Sequence, residues 1–291
     1  MNVDNIQILK HTLDILKKRR YTKDGKKIRI KLTKKQMKKC IVYLPEDIEN
    51  MTKPGNLAPV PEAEHLGVGC KNTDSFSMAL EQHALGLDSE NNILVLNFAN
   101  PFNPGGGVRR GAHAQEEDHC RKSSLLLSLE SKEAIRYYVY NLSLQNYLSS
   151  DAIILTPETE IIKDAEGELL DETAVVSVMT CAAPVATPNL EGLTREQYTA
   201  LLYQRICGML KCAACLGYRT LVLGAWGCGA FKNDAKSVSD LFRKALREFT
   251  LDRIPVERFF RRIDFAVLDR TQEQYNFGEF MRNFSNEANG V

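Results

Sequence analysis

The sequence predicts an α/β protein with a largely parallel sheet covered on both faces. Three observations carry this. Apolar, strand-like runs alternate with helical stretches from residue 74 to the end of the chain, the pattern of a sheet layered with crossover helices. The run ILVLNF at 93–98 is unbroken rather than alternating, as in a strand buried on both faces. Glycine-rich loops follow two of the strands, at 105–107 and 224–229, where ligands sit in open α/β sheets.

In chain order, residues 4–18 read as a helix with Ile6, Leu9, Leu13 and Leu16 on one stripe. Ile28, Ile30 and Leu32 alternate with Arg29 and Lys31, a half-buried strand. Thr33 caps a short helix over KKQMKK, and a weaker strand covers 41–44. After the loop MTKPGNLAPVPEAEH come a helix at 74–87, the strand at 93–98 and a helix from about 115. Strands at 152–155 and 174–179 form a hairpin turning at 165–167. A long helix (194–216), a strand (220–223), a helix (234–249), a strand (263–268) and a helix (272–284) complete the chain. There is no internal repeat.

The 291 residues are 44% hydrophobic and 26% charged, with 38 Lys plus Arg against 37 Asp plus Glu. Such a balance excludes a disordered chain and removes the simplest argument for a nucleic-acid or membrane binder. A chain of this length needs no disulfide or metal to fold. The start, NVDNIQILKHTLDILKKRR, is amphipathic rather than a secretory signal, and no run reaches the ~18 apolar residues of a membrane helix. A cytoplasmic location with reduced thiols is expected for the eight cysteines. Cys207, Cys212 and Cys215 lie on the long helix with no His nearby, so they read as core residues rather than metal ligands. Composition shifts near residue 55. Residues 1–55 read as an accessory region packed on a main domain of 56–291. The basic run at 17–39 reads as a solvated face, with a long polyanion as the alternative partner.

Three motifs stand apart from scaffold sequence. The first is NFANPFNPGGG at 97–107. Asn97 and Asn100 offer amides that read sugar hydroxyls, and Gly105, Gly106 and Gly107 would bare the backbone to a ligand. The second is Gln115-Glu116-Glu117 at a helix start. Neighbouring helical residues point about 100° apart, so the two carboxyls divide their work: one transfers a proton, the other holds substrate. The third is LGAWGCGAF at 223–231, whose amides, with the following helix N-terminus, suit a diphosphate. A nucleophilic Cys228 is the weaker reading, since no His lies close.

The run VLNFANPFNPGGGVRRGAHAQEED resembles the signature of poly(ADP-ribose) glycohydrolases, three glycines followed closely by Gln-Glu-Glu, most of all the bacterial-type branch. AIILTPETEII and VVSVMTCAAP resemble that branch's central strands, and LGAWGCGAFKND its diphosphate loop. The likeness runs from about residue 5 to 284. It implies a three-layer α/β/α macrodomain-like sandwich with a mixed sheet. It also implies hydrolysis of the ribose–ribose O-glycosidic bond of poly(ADP-ribose), with ADP-ribose as product. Glu117 would be general acid and then base, Glu116 would hold ribose hydroxyls and Gln115 would support the loop. Asn97 and Asn100 would bind substrate, Asn100 at the distal ribose. Gly105–Gly107 would pack against that ribose, Gly227, Cys228, Gly229 and Ala230 would hold the diphosphate, and Phe231 would contact the distal ribose. No metal or cofactor is expected, because acid–base chemistry and positioning supply the rate. The expected partners are poly(ADP-ribose) or ADP-ribosylated proteins, without membrane and without direct nucleic-acid binding. A departure lies in Arg109, Arg110 and His113, basic residues that would bear on the leaving group. The alternatives are a mono-ADP-ribosyl hydrolase and a non-catalytic ADP-ribose reader.

Overall fold

Seven strands form the central sheet: β1 (Ile41–Tyr43), β2 (Gly67–Lys71), β3 (Leu94–Phe98), β4 (Ile153–Lys163), β5 (Leu169–Cys181), β6 (Thr220–Leu223) and β7 (Arg262–Ala266). Their order is β1-β4-β5-β3-β6-β7-β2. Pairings from β5 across to β2 are all parallel; β4 runs antiparallel to both β1 and β5. The computed structural model describes residues 3–51, 59–60, 66–86 and 93–285.

Alternation within the central strands sends side chains to two cores. Leu94, Leu96, Leu221, Leu223, Ile263 and Phe265 enter one; Ile93, Val95, Val222 and Ala266 enter the other. Helices Arg195–Cys215, Ala235–Glu248 and Tyr275–Phe284 cover the first face with Leu210, Phe242 and Phe280. Helices Ser75–Ala84, Gln115–Lys122, Leu125–Leu129 and Ile135–Ser143 cover the second with Phe76, Cys120, Leu125 and Tyr137. The result is the three-layer α/β/α sandwich. Both faces of β3 and β6 are buried, which is why Leu94–Leu96 and Leu221–Leu223 are apolar without alternation.

Several elements differ from the sequence reading. The strand expected at 28–32 is the second arm of a hairpin, Arg20–Lys23 with Lys26–Arg29. Its turn, Asp24-Gly25, has both φ values positive, at 48° and 77°, the twist that suits a two-residue hairpin. The KKQMKK helix is a single 3-10 turn, Gln36–Lys38. Its N-cap is Lys35, without a side-chain cap, and Thr33 instead braces the turn from two residues earlier: Gln36 N donates to Thr33 Oγ1 at 3.3 Å, and Thr33 N donates to Gln36 Oε1 at 3.0 Å. The β4–β5 ribbon is longer than expected, and Asp164 Oδ1 closes its turn by accepting from Glu168 N at 2.8 Å. Helices Leu125–Leu129 and Ile135–Ser143 and strand β2 were not anticipated.

The N-terminal segment joins the sandwich at three places. β1 forms the edge of the central sheet. Ile15, Leu16, Tyr21, Ile28, Ile30, Leu32 and Met37 build a third core against Ile162 of β4. The buried carboxylate of Glu160 accepts from Lys31 N, Leu32 N and Thr173 Oγ1 at 2.7–2.8 Å, so this charge is fully hydrogen-bonded. The boundary expected near residue 55 lies outside the described residues.

Candidate active site

The helix Gln115–Lys122 starts directly behind the end of β3. Gln115 fixes the junction: its Oε1 accepts from Phe98 N at 2.8 Å, and its Nε2 donates to Leu96 O at 2.8 Å and Ser75 Oγ at 3.0 Å. It therefore clamps helix to strand end rather than to the glycine run. Glu116, Glu117 and Asp118 fill the first turn, where the helix dipole favours acidic side chains.

The two glutamates diverge as helical geometry requires. Glu116 turns inward and is 2% exposed. Its Oε2 accepts from Asn100 N at 2.7 Å and its Oε1 from Asn97 Nδ2 at 3.3 Å. Burial pushes its carboxyl up to about 8; the neighbouring Glu117 adds to the rise, and the Asn100 and Asn97 donors oppose it. Glu117 turns toward the glycine loop, and its Oε1 accepts from Gly107 N at 2.8 Å. Its Oε2 is buried without a protein partner, and both glutamates line the cleft.

Asn97 does not reach the cleft. It is fully buried, and its amide donates to Glu116 and to Thr180 Oγ1. Asn100, in the loop two residues beyond the end of β3, lies at the cleft wall. There Asn100 Oδ1 accepts from Phe102 N and Asn103 N, both at 2.9 Å, shaping the loop.

Gly105, Gly106 and Gly107 likewise do not line the cleft, and their need for glycine comes from packing. Gly105 and Gly106 have φ of 66° and 58°, where a side chain is strained. A Cβ on Gly106 would press on the carboxylates of Glu117 and Glu116, and one on Gly105 on Leu126 and Cys120. The bare backbone lets the loop close onto the carboxylates.

Across the cleft, the loop after β6 is braced from behind. Trp226 is fully buried and its Nε1 donates to Cys181 O at 2.9 Å. Asn233 Nδ2 donates to Pro184 O and Gly227 O, and its Oδ1 accepts from Tyr198 OH at 2.7 Å. Gly227, at φ 75°, packs too closely on Asn233 and Ala183 for any Cβ. Gly227, Gly229, Ala230 and Phe231 line the cleft; Cys228 does not. The following helix N-terminus is not part of this site, contrary to expectation. Asp234 caps it, accepting from Ser237 N at 2.9 Å, so a carboxylate already occupies that position. Burial pushes the Cys228 thiol up to about 12, which removes the thiolate a nucleophile needs.

The cleft between the loops holds about 640 Å³, within the range of small-molecule sites. Distant segments complete it without any sequence signal. The N-terminal helix contributes Asn5 and Ile8, and the tip of the β4–β5 ribbon contributes Ala165, Glu166 and Gly167. Arg270 and Asn276 close the far end. His113 is exposed and lines the rim. Arg109 lies outside the cleft, its guanidinium paired with Glu130 by two bonds of 2.7 Å. Trp226, Asn233 and Tyr198 went unrecognised; their roles depend on partners far away in sequence. Among the described residues, no group of three or more His, Cys, Asp or Glu gathers as a metal site, and no helix is long and apolar enough to cross a membrane.

Comparison with known proteins bears on this geometry. A family model described as the catalytic domain of microbial-type PARG matches residues 10–164. The crystal structure of poly(ADP-ribose) glycohydrolase from Thermomonospora curvata is similar at 30% identity and TM-score 0.85, covering 97% of this chain and 99% of that one. The same enzyme bound to the inhibitor ADP-HPD superposes at TM-score 0.83, with the same identity and coverage. The Deinococcus radiodurans enzyme in complex with ADP-ribose has 30% identity and TM-score 0.72, covering 86% of this chain and 96% of that one. The search of curated proteins finds no match.

Proposed function

Because the chain belongs to the microbial-type poly(ADP-ribose) glycohydrolase family, and is thereby a hydrolase of poly(ADP-ribose), we propose that Glu117 performs the proton transfers of ribose–ribose bond cleavage. The observation that carries this is Glu117 Oε2, a buried carboxylate oxygen with no protein partner on a residue that lines the cleft. Its sister oxygen is held by Gly107 N, which fixes the carboxyl and leaves one oxygen for the reaction. Protonated Glu117 gives its proton to the departing 2′-oxygen as the glycosidic bond breaks. The sugar passes through an oxocarbenium-like state, and Glu117 then takes a proton from the attacking water.

Glu116 is placed differently. Both its oxygens already accept protein hydrogen bonds, so it acts by fixing the Asn100 backbone and presenting an edge to the ribose. Adjacent helical carboxyls do not face one another across a sugar, so a covalent glycosyl-enzyme through Glu116 does not fit. A second reading makes Glu116 the acid, because burial raises it to about 8; substitution of each glutamate separates the two.

ADP-ribose lies with its distal ribose between Asn100 and Phe231 and its diphosphate on the amides of 227–230. The lining of the cleft supports this placement, and the Deinococcus enzyme's complex with ADP-ribose supports ADP-ribose as the ligand. Poly(ADP-ribose) is the partner in this reading. The eight free cysteines favour a reducing, cytoplasmic setting. Parallel incubation with poly(ADP-ribose) and with mono-ADP-ribosylated protein, following released ADP-ribose, tests the reading. Release from polymer is expected. Release only from the mono-modified protein, or binding without release, contradicts it.

A further inference from the structure

Thirteen basic residues and one acid, Asp24, lie between positions 17 and 39. The whole chain carries +1, so the remainder carries −11. The fold displays this charge instead of neutralising it. Of the thirteen, Lys18, Lys23 and Lys31 have carboxylate partners: Asp14, Asp171 and Glu172. Arg19 donates to the backbone oxygens of Leu32 and Ile30. Among the described residues, the other nine have no ion-pair partner.

The hairpin makes the point most sharply. Arg20 stands directly across from Arg29, and Lys23 across from Lys26. Like charges in cross-strand pairs destabilise a hairpin. Tyr21 and Ile28 face the third core, so Arg20, Lys27 and Arg29 share the solvent face of this ribbon. Nothing in the packing calls for that arrangement.

The position of this surface identifies its ligand. The N-terminal helix, Val3–Lys18, touches the cleft with Asn5 and Ile8 and carries Lys17 and Lys18 at its other end. From Ile8 to Lys17 the helix rises about 14 Å. The β4–β5 ribbon also reaches from the cleft to this surface: its tip lines the cleft, and its acids Asp171 and Glu172 farther along pair with Lys23 and Lys31. Two elements that wall the cleft thus end in the basic surface.

We propose that this surface is an exosite for the polymer beyond the unit being cut, binding the diphosphates of a poly(ADP-ribose) chain whose terminus occupies the cleft. The proposal rests on the functional reading above. Each repeat of the chain carries two phosphate charges, and phosphate neutralisation makes binding strongly salt-dependent.

The test compares Glu117→Gln with the same protein also carrying Arg20→Gln, Lys27→Gln and Arg29→Gln. Both are titrated with long poly(ADP-ribose), monomeric ADP-ribose and duplex DNA at 50 and 200 mM salt. Three lost phosphate contacts should reduce the log–log salt slope for long polymer by about 2 and weaken its binding at 50 mM about tenfold. Monomer affinity should not change. Thermal melting should show a hairpin no less stable, since a repulsive pair is gone. Equal polymer affinities at low salt overturn the exosite. Tighter binding of DNA than of polymer, lost with the same substitutions, overturns it in favour of nucleic acid. Because these are binding measurements on a variant lacking the proposed acid, they stand apart from whether the native chain cleaves polymer.

Discussion

The two glycine-rich loops follow neighbouring parallel strands and look alike in sequence, yet they face opposite ways. The loop after β3 turns its glycines inward. Gly106 lies against Glu117 and Glu116, and Gly107 N donates to Glu117. The loop after β6 is held from behind through Gly227, while Gly229 is exposed with nothing within 4 Å of a Cβ. One loop grips the Glu117 carboxyl; the other presents Gly229 to open space. A run of glycines therefore signals close approach of backbone to something, and that something is as readily the protein's own carboxylate as a phosphate.

This contrast is broken most severely by Gly106→Ala. The added methyl meets the Glu117 carboxylate at a positive φ, so turnover should fall about 10²-fold or more, the scale of losing general acid–base assistance. Calorimetry should find ADP-ribose affinity far less affected. Gly227→Ala inverts the result. Its methyl meets Asn233 and Ala183, tilts the loop after β6 and should weaken ADP-ribose binding about tenfold, or ~1.4 kcal/mol.

A third prediction concerns the inward carboxyl. Glu116 has an ordinary value of 4.5 and is raised to about 8 by burial. Between those values the folded protein keeps a proton the unfolded chain has released. Stability contributed by this group is thus full below the lower value and declines as pH rises toward the upper one. Tm should fall by about 5 °C between pH 5 and 8, and Glu116→Gln should flatten the slope in scanning calorimetry. The smallest effect belongs to Gly229→Ala, which meets no neighbouring atom. Its stability should stay within about 0.5 kcal/mol of the native protein in denaturant unfolding.

The legible parts of the fold were those where periodicity reports burial directly. β3 is apolar over Leu94–Leu96 and β6 over Leu221–Leu223 because both faces are covered, and Thr194 and Asp234 mark helix starts by accepting from Gln197 N and Ser237 N. β2 was hidden because GVGCK has little strand propensity; its parallel pairing with β7 makes it a strand. The helix Ile135–Ser143 was hidden because Ile135, Val139 and Leu142 face solvent while Tyr137 and Tyr138 are buried, which blurs the apolar stripe. The hairpin Arg20–Lys23 with Lys26–Arg29 was masked by charge, since only Tyr21 and Ile28 point inward.

The gathering of the site residues at one cleft was legible in the sequence, and which of them face the cleft was less so. Glu116, Glu117, Asn100 and the loop after β6 meet at one cleft, as their helix-start and strand-end positions suggested. Asn97 and Asn100 carry the same amide, and only the fold shows that one supports Glu116 while the other lines the cleft. Asn5, Gly167 and Arg270 reach the site through tertiary packing, which leaves no local signal.

The account rests on Glu117 as the group that moves the proton. Turnover of long poly(ADP-ribose) by the native protein, Glu117→Gln and Glu116→Gln, with ADP-ribose affinity measured on each, tests it directly. Glu117→Gln is predicted to lose about 10²–10⁴-fold in turnover while ADP-ribose affinity stays within about threefold, under 1 kcal/mol. Native turnover by Glu117→Gln, with the loss confined to Glu116→Gln, would contradict the account and make the buried carboxyl the acid.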